Sequence, residues 1–122
     1  MNRRTIILCI LGLAAILCAL AACDSSMVRK SDAELGLNAT QAGGRRVYDR
    51  NCGMCHEAYS SRNLRGPSLQ GLFKKQYMPS GTPANDDRVR DVVLLGRAKM
   101  PGFGRVLSQQ QVDDLLAYLH TL

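Results

Sequence analysis

The 122-residue sequence has only four prolines, no internal repeat and no low-complexity tract. It also has no strand-like alternation of useful length, which argues against a β-rich fold. Eleven glycines without a period, together with 46% apolar residues, exclude a collagen-like or mainly disordered chain. The length permits one small domain. The formal charge of +6 is modest and its basic residues are not clustered, so the sequence gives no support for nucleic-acid binding.

The first 22 residues have the order of an export signal. Two arginines precede an apolar run that ends in small residues. The run is about as long as the shortest membrane-spanning helix, so an uncleaved anchor is the alternative. Leu20-Ala21-Ala22-Cys23 resembles a bacterial lipoprotein signal, which is cut before the cysteine that carries the lipid. We therefore expect residues 1–22 to be a signal peptide and Cys23 to be lipidated.

The expected mature chain begins with a polar segment. Asp24 resembles the signal that keeps lipoproteins at the inner membrane, on its periplasmic side. Residues 24–39 have no sustained apolar period, so residues 23–39 are predicted to be a lipidated cysteine and a flexible tether. The domain is then expected over residues 40–122.

Three helical segments predict an all-α domain. The first is expected from Thr40 as N-cap toward Cys52, and the second from Asn85 until Gly96. The third has the pattern of a capping box at Ser108–Gln111, followed by an apolar stripe. About 30 residues rich in Gly, Pro, Ser and Asn separate the first two helices. A compact domain seldom carries so long a loop without something for it to wrap.

Cys52-Gly53-Met54-Cys55-His56 has the C-x-x-C-H spacing of covalent c-type haem attachment. Cysteines three apart in a helical turn lie on one face, as two thioether bonds to one edge of a haem require. The histidine that follows is then placed as the proximal iron ligand. A thioredoxin-like dithiol lacks its preceding strand here, and a structural zinc site lacks ligands. A plain disulfide between Cys52 and Cys55 is the remaining alternative.

With these residues, the sequence over 40–122 resembles a small bacterial class I cytochrome c, in which three main helices and loops wrap one haem. The resemblance implies that the first and last helices cross at Gly44. It also implies that the carbonyl of Pro67 accepts a hydrogen bond from His56. The loop over residues 57–65 departs from the family pattern, so its course is open. The matching segments are Gly44, Tyr48, Cys52–His56, Gly66–Leu72, Met100–Phe103 and Leu115–Leu119.

The distal iron ligand decides between an electron carrier and an open haem site. Met27 lies in the tether, and Met54 sits on the attachment edge. Met78 and Met100 each precede a proline. The family position favours Met100 over Met78 and over His120.

A methionine ligand predicts one-electron transfer with no small-molecule substrate. We expect Lys74, Lys75, Arg97, Lys99 and Arg105 to steer docking to an acidic protein partner. Three hypotheses follow: a membrane-tethered carrier, a haem subunit of a larger dehydrogenase or oxidase complex, and an open-site gas-binding or peroxidase-like haem protein.

Overall fold

A computed structural model of the chain describes residues 30–122, and its α-helices are α1 (Ala39–Asn51), α2 (Asp86–Leu95) and α3 (Gln109–Leu119). One 3-10 turn, Leu72–Lys74, interrupts the long loop between α1 and α2. Within residues 30–122 there are two isolated β-bridges and no strand, so the predicted all-α fold is confirmed.

The predictions for the leader, Cys23 and Met27 lie outside the described residues. Over residues 30–122, every helix is too short or too polar to cross a membrane.

The cap of α1 is Asn38, so the prediction of Thr40 is wrong. Asn38 Oδ1 accepts from the main-chain N–H of Gln41 at 2.9 Å, and Gln41 Oε1 accepts from the N–H of Asn38 at 2.9 Å. This reciprocal capping box satisfies two main-chain donors at the helix start, where no intrahelical acceptor exists. Thr40 therefore lies inside the first turn.

Both ends of α2 and the start of α3 lie where the sequence predicts them. Asn85 caps α2 by accepting from the N–H of Arg88 at 3.0 Å, and Gly96, with φ of 78°, ends it. Ser108 and Gln111 form the predicted capping box at the start of α3.

Helices α1 and α3 cross at Gly44. A Cβ at this position would overlap the main-chain oxygen of Asp114 and lie 2.8 Å from Tyr118 Cβ. Just beyond the crossing, the rings of Tyr48 and Tyr118 lie 5.5 Å apart at 51°. The helices approach this closely because glycine has no side chain to separate them.

The segment before α1 is folded against the domain. Asp32 Oδ1 lies 2.9 Å from Arg45 Nη1, and Leu37 packs against the core. Burial opposes the charge of Arg45, but the hydrogen bond to Asp32 and the charge interactions with Tyr59, Asp32 and Asp49 together raise the arginine pKa. The predicted flexible tether therefore does not extend through residues 31–38.

Candidate haem site

The five-residue attachment motif forms a compact turn at the end of α1. The N–H of Cys52 donates to Tyr48 O at 2.8 Å, which is the last helical contact. The N–H groups of Cys55 and His56 both donate to Cys52 O at 2.9 Å. Cys52 and Cys55 are not joined by a disulfide, and both are partly buried. Burial raises the pKa of the Cys52 thiol to about 11.

The imidazole of His56 is held by the segment that returns from the long loop. His56 Nδ1 lies 2.7 Å from Pro67 O, the contact expected from the sequence. Because a carbonyl only accepts, Nδ1 carries the proton and the lone pair remains on Nε2. Gly66, which precedes Pro67, lies against the imidazole ring of His56. A Cβ at Gly66 would overlap His56 Cε1 and lie 2.9 Å from His56 Nδ1. The histidine thus offers one defined nitrogen to a metal.

The loop after His56 has a definite course despite its departure from the family pattern. Ser68 Oγ donates to Ser60 O at 2.5 Å, and the N–H of Leu69 donates to Glu57 O at 2.8 Å. These bonds close the loop on itself and return the chain to the histidine.

Met100 lies at the end of a tight turn that follows α2. The main-chain groups of Arg97 and Met100 exchange hydrogen bonds of 3.0 and 2.9 Å, and Ala98 adopts φ of 51°. The N–H of Phe103 then donates to Val93 O at 2.8 Å, which returns the chain onto α2. The backbone of Met100 is therefore held on both sides, while its side chain is partly buried.

The two competing ligand candidates have other contacts. Met78 is partly buried and packs against the hydrophobic core. His120 Nε2 lies 2.7 Å from Asp86 Oδ1, and its ring stacks on Phe73 with centroids 3.8 Å apart. Met100, in contrast, is absent from the partly buried side chains that pack on the core within residues 30–122.

Known proteins are similar to about two thirds of the chain. The family model described as "Cytochrome C oxidase, cbb3-type, subunit III" matches residues 39–119. Cytochrome c6 of Rippkaea orientalis is 31% identical over 78 residues, which cover 64% of this chain and 67% of the relative. Cytochrome c6 of Limnospira maxima is 31% identical over 81 residues, which cover 64% and 88%. The solved structure of cytochrome c6 from the diatom Phaeodactylum tricornutum has a TM-score of 0.51 and 26% identity, covering 65% of this chain and 88% of that one.

The chain belongs to the class I cytochrome c family. This cytochrome c is an electron carrier rather than an enzyme, and its cofactor is one covalently bound haem c. The residues present fit that group. Two thiols stand in one turn, the adjacent His56 has its Nε2 lone pair available, and Gly66 leaves space for the ring of the histidine.

The five basic residues that are expected to steer docking divide into two sets in this cytochrome c. Lys74 Nζ donates to Leu122 O at 2.8 Å, so this amine has a structural contact, and the neighbouring Lys75 is exposed. Arg97, Lys99 and Arg105 are exposed on and beside the turn that carries Met100.

The sequence does not predict two of the contacts at the site. Tyr59 and Tyr118 share a hydrogen bond of 2.7 Å between their hydroxyls, and the hydroxyl of Tyr48 donates to His56 O. Nothing in local spacing relates residues so far apart, so no sequence signal was available for the Tyr59 pair.

Proposed function

We propose that this cytochrome c transfers single electrons between protein partners outside the cytoplasm while a lipid on Cys23 tethers it to a membrane. Cys52 and Cys55 would form the thioether bonds, and His56 and Met100 would be the protein ligands of the iron. The haem supplies an iron that changes oxidation state by one electron. No small-molecule substrate is involved.

The hydrogen bond between His56 and Pro67 carries the proposal. It commits Nδ1 to the protein and leaves Nε2 for iron, which also fixes the ring orientation and increases ligand basicity. The two thiols in the adjoining turn hold a haem beside that nitrogen.

Met100 supports a carrier instead of an open site. Its turn is fixed by main-chain hydrogen bonds, whereas Met78 is used in core packing and His120 is paired with Asp86. A thioether ligand closes the distal position and favours the ferrous state, which suits an electron carrier.

An acidic protein partner is favoured by the surface beside Met100. Arg97, Lys99 and Arg105 are exposed there, and Leu95 and Val106 are 80% and 65% exposed. Positive charge speeds the approach of an acidic face, and exposed apolar side chains give it a contact area. The net charge of the proposed mature chain, 14 − 10 = +4, has the same sign.

The tether proposal depends on the order of the leader and on Leu20-Ala21-Ala22-Cys23. Asp24 favours the periplasmic side of the inner membrane. Because Asp32 is paired with Arg45, only a short stretch of sequence separates the folded domain from the proposed lipid on Cys23.

A haem subunit of a larger complex is the second candidate. The matched family model is described as a subunit of a cbb3-type cytochrome c oxidase, and that description is the observation in its favour. Purification from mild detergent separates the two candidates, because a carrier elutes alone and a subunit elutes with other chains.

The experiment that tests attachment is acid acetone extraction of protein produced in a host that assembles cytochromes c. The wild type retains its haem, and a double variant with Cys52→Ala and Cys55→Ala does not. Extraction of haem from the wild type would overturn the thioether assignment.

The anchor is tested separately by intact-mass measurement of the membrane fraction. We expect a lipid-modified Cys23 as the first residue, and Cys23→Ser to block this processing. A membrane protein that retains residues 1–22 would establish a transmembrane anchor and leave the haem assignment unchanged.

A further inference from the structure

Tyr48 contacts the haem-attachment turn at both of its ends. Its main-chain oxygen accepts from the N–H groups of Cys52 and Gly53 at 2.8 and 3.0 Å. Its ring lies against Gly53, where a Cβ would be 3.4 Å from Tyr48 Cε1. Its hydroxyl donates to the main-chain oxygen of His56. One residue thus holds the first and the last position of the turn.

The ring of Tyr48 is itself fixed in the core. Only 6% of the residue is exposed, and its ring packs on that of Tyr118 with centroids 5.5 Å apart. The hydroxyl of Tyr118 has a different partner, the hydroxyl of Tyr59 at 2.7 Å.

We infer that Tyr48 is a positioning residue for the iron ligand His56, whose main-chain carbonyl it holds while Pro67 holds the imidazole. The inference rests on the proposed function only in taking His56 as the ligand. Tyr48 donates to the main chain of His56, and the side chain of the same histidine is bonded to Pro67 O. Fixing the main chain keeps Nδ1 at hydrogen-bond distance from Pro67 O, and this bond increases the basicity of the imidazole.

The test compares Tyr48→Phe with Tyr118→Phe in haem-loaded protein. Each variant removes one hydroxyl from the same pair of tilted rings and keeps both rings, so Tyr118→Phe is the matched control. In the ferrous protein, NMR measures solvent exchange of the His56 Nδ1–H. We expect exchange about fivefold faster in Tyr48→Phe, the factor that one net hydrogen bond contributes, and no change in Tyr118→Phe.

The reduction potential supplies a second measurement. A less basic imidazole stabilises ferric iron less, so Tyr48→Phe should have a higher potential than the wild type and than Tyr118→Phe. Placing 4-aminophenylalanine at position 48 restores a donor on the ring and should restore both values. Equal exchange and potential in wild type and Tyr48→Phe, or equal changes in the two phenylalanine variants, would overturn the inference.

If Tyr48→Phe yields no haem-loaded protein, a measurement on the wild type still tests the inference. With 13C in the histidine carbonyls, the Tyr48 hydroxyl proton should exchange slowly and show coupling to the carbonyl of His56. Absence of that signal would overturn the inference. Failure of the proposed function has a different appearance, since the wild type would then lose its haem to acid acetone or show no histidine-ligated iron.

Discussion

The α carbon of Gly44 packs directly on the main-chain oxygen of Asp114, and this contact sets how closely α1 and α3 approach. In Gly44→Ala the added methyl group overlaps an atom that cannot rotate away, so the helices must separate. We expect a loss of about 3 kcal/mol in the free energy of unfolding, the upper part of the range for overpacking. Guanidinium unfolding of the haem-loaded protein measures it.

Gly43→Ala is the control for that prediction. A Cβ there lies 2.9 Å from Asp114 Oδ2, at the far end of a side chain that can change rotamer. Alanine stabilises a helix by about 1 kcal/mol relative to glycine, which offsets the cost of the rotamer change at Asp114. Equal destabilisation by the two substitutions would show that main-chain contact does not set the crossing.

Gly66→Ala is expected to displace the imidazole of His56. Its methyl group would overlap the ring, so the 2.7 Å contact with Pro67 must break. We expect faster exchange of the Nδ1–H by at least the factor of about five that one hydrogen bond contributes. Gly81→Ala is the control, because it adds strain at φ of 80° with no atom within 4 Å and should leave this exchange unchanged.

Met100→Ala should convert the carrier into an open haem site. The ferric wild type should show a weak long-wavelength sulfur-to-iron absorption band, and the variant should lose it, have a lower potential and bind carbon monoxide when reduced. Met78→Ala should keep the band and lose roughly 2 kcal/mol of stability, because Met78 packs on the core. Reversed behaviour would move the ligand to Met78, and a wild type without the band would refute the carrier proposal.

Asp32→Asn should loosen the segment before α1. The carboxylate lies 2.9 Å from Arg45, whose side chain is only 11% exposed, so we expect a loss of about 1 kcal/mol. Amide exchange at Leu37, which donates to Asp32 O at 2.9 Å, should become faster. Asp91→Asn removes an exposed pair with Arg88 and should change neither value. Slow exchange at Leu37 in Asp32→Asn would show that core packing alone holds the segment.

The starts of the helices show which structural features the local sequence predicts. Ser108–Gln111 predicts the start of α3 because a capping box is made within four residues. Asn38 and Gln41 have the same spacing at the start of α1, so the sequence also contains the signal of the correct cap. Asn38 and Thr40 lie two residues apart and both suit an N-cap, so the local pattern predicts the helix itself but not its exact first residue.

The sequence alone determined the attachment motif Cys52–His56 and the family, because thioether chemistry requires one spacing within a single turn. Only the tertiary structure decided that Tyr48 holds the carbonyl of His56, that Tyr59 meets Tyr118, and that Asp32 meets Arg45. The first contact depends on how the attachment turn folds back on α1. The other two join residues on separate segments, and their geometry exists only once loops have closed and α1 has packed on α3. Packing at that distance follows from the shape of the whole core, which no local spacing encodes.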